Sequence, residues 1–293
     1  MRYIKLILSL FGFCAFTNVW AQLSTNEKPV SFGREAELRV SRRSANPSVT
    51  MPQLDMVKIN KEDSENDKVK APARFGYTHI VNYNLNNSGT WYELSNGDKI
   101  WQLNITCPEA KSINLCYDKF WLPEGGKFFV YSKDRKYCLG PFTSRNNKGN
   151  TEKLRGFATG LLYDSEIVLE YYQPKEVTTD AIISLNYVVH GYRFIRDVEP
   201  CLGFGQSGSC MVDVNCDAGK NWQSEKNAVT CIVYVGNSGA VFFSGALINT
   251  SKFDEKPLLL TGYHCLGDTG YSYSQDNPVL DNIYFYWNYE LID

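Results

Sequence analysis

Through the middle of the chain, short alternating runs of apolar and polar residues are broken by turn residues at intervals of roughly ten positions, the spacing of an all-β sandwich. Residues 90–94, TWYEL, lead into the turn Ser95-Asn96-Gly97-Asp98, and the next run, KIWQLNIT, covers 99–106. Further runs at 112–120, 127–132 and 167–172 predict strands, with Pro123-Glu124-Gly125-Gly126 as a turn between two of them. Together they predict a β-sandwich over residues 73–195. The Trp and Tyr residues of these runs, Trp91 and Trp101 among them, read as core side chains rather than a ligand platform. His79, on a strand, and His190, at the close of the domain, read as structural histidines.

A second pattern follows. The apolar run Leu258-Leu259-Leu260 reads as a buried strand that carries Thr261-Gly262-Tyr263-His264-Cys265 into a short turn. His264 is therefore the candidate for proton transfer, because a general base must be held by a rigid element. A lone histidine more often does no more than hydrogen-bond in a loop, so its surroundings decide. Upstream lie Phe243-Ser244-Gly245-Ala246-Leu247-Ile248-Asn249 and a polar loop ending at Pro257. If Asn237-Ser238 forms a two-residue hairpin turn, Cys231 falls opposite Ser244 and faces away from the Phe243 side. Two stretches, Gly236-Asn237-Ser238-Gly239 and Gly205-Gln206-Ser207-Gly208, faintly suggest a nucleophile turn. Neither precedes helical periodicity, which a strand-to-helix nucleophile elbow demands, so both read as turns.

Composition adds bounds. The 293 residues suggest two domains, 43% hydrophobic residues supply cores, and nineteen Tyr with sixteen Phe favour sheets. A net charge of −2 leaves no electrostatic footprint for nucleic acid. Met1-Arg2-Tyr3-Ile4-Lys5, the apolar residues 6–16 and Val19-Trp20-Ala21 read as a signal peptide over 1–21, and no later run spans a membrane. Residues 22–72 are polar, with Ser41-Arg42-Arg43-Ser44 and a charged run at 58–70, and read as a solvated leader or linker. Of nine cysteines, all but Cys14 fall after the signal, where export favours disulfides. The spacings Cys107 to Cys116 and Cys210 to Cys216 match no zinc motif, so no metal and no cofactor are expected.

The arrangement around His264 resembles that of chymotrypsin-fold serine endopeptidases, most closely the bacterial lysyl-endopeptidase-like branch. It rests on the Ser-Gly-Ala-Leu-Ile-Asn stretch at 244–249 followed by Leu-Thr-Gly-Tyr-His-Cys at 260–265. Gly208 to Cys216 resembles the start of that branch's mature peptidase, 283–289 its strand after the histidine loop, and WYELSNGDKIWQLNI with LPEGGKFFVYS its β-rich pro-region. The departures are Gly262 in place of Ala, and Phe243 where a cysteine often pairs with the one after the histidine. The resemblance implies a secreted zymogen that hydrolyses peptide bonds by Ser-His-Asp acyl transfer. His264 would be the catalytic base, protein or peptide substrates the partners, Lys preference a trait of the relatives, and the pro-domain a partner of the peptidase domain. In this family the His precedes the Asp and the Ser. The serines of the two faint nucleophile turns come before His264. Asp268, Asp276, Asp281, Asp293, Ser272 and Ser274, which follow it, lie in no fitting context, so the expectation is a chain ending inside the first barrel.

The expected architecture is all-β: signal peptide 1–21, leader 22–72, β-sandwich pro-domain 73–195, linker 196–207, and the N-terminal part of a trypsin-like barrel at 208–293. No Lys or Arg lies between Arg196 and Lys220, so a tryptic-type self-cut would fall at or before Arg196. The rival reading is a secreted, non-catalytic β-rich binding or adhesion protein with a degenerate peptidase-like domain.

Overall fold

A computed structural model of the chain describes residues 27–41, 48–69, 73–194, 214–252, 254, 256–262, 265 and 278–289. The expected signal peptide, the dibasic pair, the expected 196–207 linker, Cys201 and Cys210 lie outside these residues. The all-β expectation holds: two sheets carry the structure, one six-stranded and one eight-stranded.

The first sheet contains β1 (Ser48–Thr50), β3 (Thr90–Glu93), β4 (Lys99–Thr106), β6 (Lys127–Ser132), β7 (Cys138–Phe142) and β9 (Glu166–Gln173), ordered β1-β4-β9-β6-β7 with β3 beside β4. Its inward row includes Trp101, Leu103, Ile105, Phe128, Val130, Leu169 and Tyr171, all buried. They meet Leu115, Tyr117, Phe120, Leu185 and Val188 of the second sheet. The period-two alternation of each strand sends these side chains to one face, and their burial closes the sandwich.

The described part of the polar stretch 22–72 is not a solvated leader. A 3-10 turn at Val30–Gly33, helix α1 (Glu35–Ser41), β1 and helix α2 (Met56–Lys68) all lie within it. Leu38 of α1 is buried with Tyr92, Leu94 and Ile100 on the outer face of the first sheet. The Ser31 amide donates to Glu170, a fully buried carboxylate that also accepts from Gln102 Nε2 and Tyr131 Oη, each at 3.0 Å. In α2, buried Asp63 accepts from Arg74 Nε at 2.8 Å, Tyr192 Oη at 2.8 Å and Arg193 Nη2 at 3.0 Å. Charges that read as solvating are here the partners of buried groups, which is why composition hides the docking.

The second sheet runs β14-β11-β12-β2-β10-β5-β8, with β13 beside β12. The strands β2 (Arg74–Asn84), β5 (Ser112–Trp121), β8 (Arg155–Ala158) and β10 (Ile182–Gly191) come from the sandwich region. The strands β11 (Val229–Gly236), β12 (Gly239–Ile248), β13 (Leu258–Thr261) and β14 (Ile283–Trp287), preceded by the short helix α3 (Gln223–Ala228), come from the C-terminal region. These last four form no closed barrel. What the sequence does not reveal is that they extend the sandwich's own sheet, through Ala240 opposite Gly76 and Val241 opposite Arg74. At this seam Thr78 Oγ1 donates to the Gly236 carbonyl at 2.8 Å and Arg74 Nη1 to the Ser238 carbonyl at 3.1 Å. Gly239 sits at φ +138°, and a Cβ there would lie 2.7 Å from the Gly76 carbonyl oxygen.

The sheet curls until its two ends approach. Asp281, just before β14, receives a forked pair of bonds from Arg155 of β8, at 2.9 and 3.0 Å, and a third from the Gly156 amide at 2.9 Å. Tyr286 Oη accepts from the Leu161 amide at 2.7 Å. Phe75, Cys116, Val189, Val233, Val235, Ala240 and Tyr284 fill the enclosed space as a second core. Removing one partner of a buried, hydrogen-bonded ion pair strands the other. Asp281→Ala is therefore expected to cost about 3–5 kcal/mol of stability, read as a fall in the urea midpoint; a midpoint shared with the parent would show that the fork carries no weight.

Candidate functional site

The hairpin of β12 and β13 is the element the sequence singles out. Gly245 faces Thr261, Ala246 faces Leu260, Leu247 faces Leu259 and Ile248 faces Leu258. Thr261 Oγ1 donates to the Ser244 carbonyl at 2.9 Å, fixing the strand end. Gly245 is required by close approach: a Cβ would lie 2.6 Å from Ile232 Cδ1 and 3.1 Å from the Leu260 carbonyl oxygen. The Ser-Gly pair thus lets β13 lie against β12 where β11 crowds from the other side.

One expectation fails here. The LLLT run is not a buried strand: among the described residues β13 pairs only with β12, and Leu260 stays 60% exposed. An edge strand has a neighbour on one side only, so its side chains are half-covered at best. The predicted hairpin geometry does hold, with Gly236 opposite Gly239 and Cys231 opposite Ser244. Gly236-Asn237-Ser238-Gly239 is accordingly a turn and no nucleophile elbow.

Tyr263 and His264 lie outside the described residues, so the imidazole has no described position. Its flanks do: the Cys265 amide donates to the Gly262 carbonyl at 3.0 Å, and Cys265 is buried. Of the acids and serines that follow His264, Asp281 is described, and its carboxylate is committed to Arg155, to the Gly156 amide and, at 3.5 Å, to Lys148 Nζ. That explains its failure to look like a triad acid. Asp268, Ser272, Ser274, Asp276 and Asp293 lie outside the described residues.

The disulfides expected of an exported chain do not join Cys107, Cys116, Cys216, Cys231 or Cys265, which are thiols. Burial holds Cys107 and Cys231 up at about 12 and Cys116 well above the usual thiol range. These three are inert packing groups, since the thiolate is the nucleophile. Among the described residues no cluster of three or more His, Cys, Asp or Glu could hold a metal ion.

His79 on β2 and His190 on β10 come together at one end of the sandwich core, ring centroids 5.8 Å apart. His79 Nε2 and His190 Nδ1 are buried without a hydrogen-bond partner among the described residues. Their place in the core fits the structural reading. Burial lowers both, and His190, with His79 as its second perturber, is held down to about 4.

The fold is that of an all-β protein whose C-terminal strands build onto a sandwich, with the β12–β13 hairpin among them. Residues 204–292 match the family described as lysyl endopeptidase, C-terminal domain. That segment is therefore lysyl-endopeptidase-related, and it contains β11 to β14 together with His264. The match covers under a third of the chain and leaves the sandwich unassigned.

The histidine pair fixes a pH dependence. The unfolded chain takes up protons near 6.5 while the folded chain resists until about 4, so stability is lost as pH falls through that window. The urea midpoint should drop between neutral pH and about pH 5, and His190→Gln should flatten the drop. An equal decline in the variant would show that other groups govern it.

Proposed function

We propose that the chain is the precursor of a secreted serine endopeptidase in which His264 is the general base and acid of peptide-bond hydrolysis. The observation that carries this reading is the family match over 204–292 on the same segment that bears the Ser-Gly-Ala-Leu-Ile-Asn and Leu-Thr-Gly-Tyr-His-Cys stretches. The β12–β13 register supports it, because it ties both stretches into one hairpin and brings a strand end to the histidine. In this role the imidazole takes the proton of an attacking serine hydroxyl and returns it to the leaving amine. An aspartate would orient the ring, and backbone N–H groups would stabilise the tetrahedral oxyanion.

Residues 1–21 act as the signal peptide, 73–195 as the pro-domain, 196–207 as the linker and 208–293 as peptidase. Peptides cut after lysine are the favoured substrates. Among the described residues no helix is long and apolar enough to cross a membrane.

The test is His264→Ala in the secreted product of the complete reading frame, assayed on a lysyl peptide ester and on its amide. Turnover should fall by about 10²–10⁴-fold, the usual contribution of general acid–base catalysis. Turnover equal to the parent's would remove His264 from the mechanism, and a parent inactive on both substrates would reject the peptidase reading.

A further inference from the structure

The sandwich has two ends, and they differ in chemistry. At the end carrying His79 and His190 the two imidazole rings stand 5.8 Å apart, and His190 borders a separate cavity of about 520 Å³ beside Pro108, Ala110 and Met56. At the other, the inward-facing rows of the first sheet change character within one step. Across β3, β4 and β9, Trp91 faces Trp101 and Trp101 faces Tyr171; two residues further, on the same face, Glu93 faces Lys99 and Lys99 faces Gln173. The first row ends in core. The second turns two charges and an amide toward the space between the sheets, where a sandwich ordinarily places apolar side chains. A cavity of about 430 Å³ opens there, and Asn86 and Asp180, flanking β2 and β10, close it from the second sheet.

Trp91 is 38% exposed, yet it is not loose. Its Nε1 donates to the Leu85 carbonyl at 3.1 Å, and its ring meets Tyr171 edge to face at 5.9 Å between centroids. With its polar group used and its orientation fixed, the indole offers the cavity ring surface alone. Among the described residues, the side chains of Glu93, Lys99 and Asp180 have no hydrogen-bond or ion-pair partner, although Glu93 and Lys99 stand opposite one another.

We infer that this cavity is a saccharide-binding site, with Trp91 as the stacking platform and Glu93, Lys99, Gln173, Asn86 and Asp180 as hydroxyl partners. A sugar ring presents a C–H face that lies on an indole and a rim of hydroxyls that both donate and accept. The cavity supplies the complement: two carboxylates that accept, an ammonium that donates, and two amides that do both. A simple anion would meet two carboxylates, a simple cation would meet Lys99, and a flat apolar molecule would leave the charged row unsatisfied. The site lies in the sandwich, apart from the His264 hairpin, and does not depend on peptidase activity.

Calorimetric titration of the full chain with cellohexaose, laminarihexaose, mannohexaose and chitohexaose tests it. At least one should bind saturably with Kd below about 1 mM, and Trp91→Ala should weaken that binding about tenfold or more. Because Trp91 also packs on Tyr171, the exposed Lys99→Ala and Asp180→Ala variants serve as a second readout, expected to weaken binding with an unchanged thermal melt. No heat with any of the four at about 10 mM, or binding that survives all three substitutions, overturns the assignment.

Discussion

Asp281 is a buried carboxylate that accepts two bonds from Arg155, one from the Gly156 amide and a longer one from Lys148, and its bonds join residues 125 to 133 positions apart in the chain. It stands where the curled second sheet brings its last strand back to its first. No ladder connects β8 to β14, so side chains must hold these ends together, and an Arg–carboxylate fork is suited to it through its two parallel bonds. With the ends held, Phe75, Val189, Val233, Val235 and Tyr284 are sealed from water between strands of both regions. Without that closure, one face of β11, β12 and β14 would be open, and a four-stranded fragment has little else with which to cover it.

The lysyl-endopeptidase-related segment therefore does not fold onto itself alone. It takes β2 as a neighbour for β12, and the glycines at the seam, Gly76 and Gly239, let the two backbones meet. The upstream sandwich is in turn covered on its outer face by the polar N-terminal stretch through Glu170, Asp63 and Leu38. Three stretches of sequence with different compositions thus pack into one assembly, with β13 beside β12.

Much of the fold was legible in the sequence because strands and hairpin turns leave short-range marks. The Asn96-Gly97 turn, the 99–106 strand and the Cys231–Ser244 pairing follow from period-two alternation and turn chemistry, and each is found in the structure. Long-range choices leave no such mark. The α2 helix reads as a charged run because Asp63 has its partners, Arg74, Tyr192 and Arg193, elsewhere in the chain. The LLLT run reads as buried because apolar content does not tell an edge strand from a central one. The sequence pointed to His264 through its flanking motifs, and the family match lies on the same segment. The Trp91 cavity was missed, since Trp91 and Trp101 look alike in sequence and even stand opposite one another in the ladder; only burial separates them, Trp101 sealed in the core and Trp91 partly exposed.

Hydrogen exchange of the full chain, resolved by peptide, tests the shared sheet most directly. If the second sheet is one cooperative unit, the amides of β11 and β12 exchange with the same opening free energy as those of β5 and β10, since all are lost in one event. Exchange of β11 and β12 at a markedly lower free energy, with β5 and β10 still protected, would mean that the C-terminal strands open by themselves and that the seam does not couple the two regions.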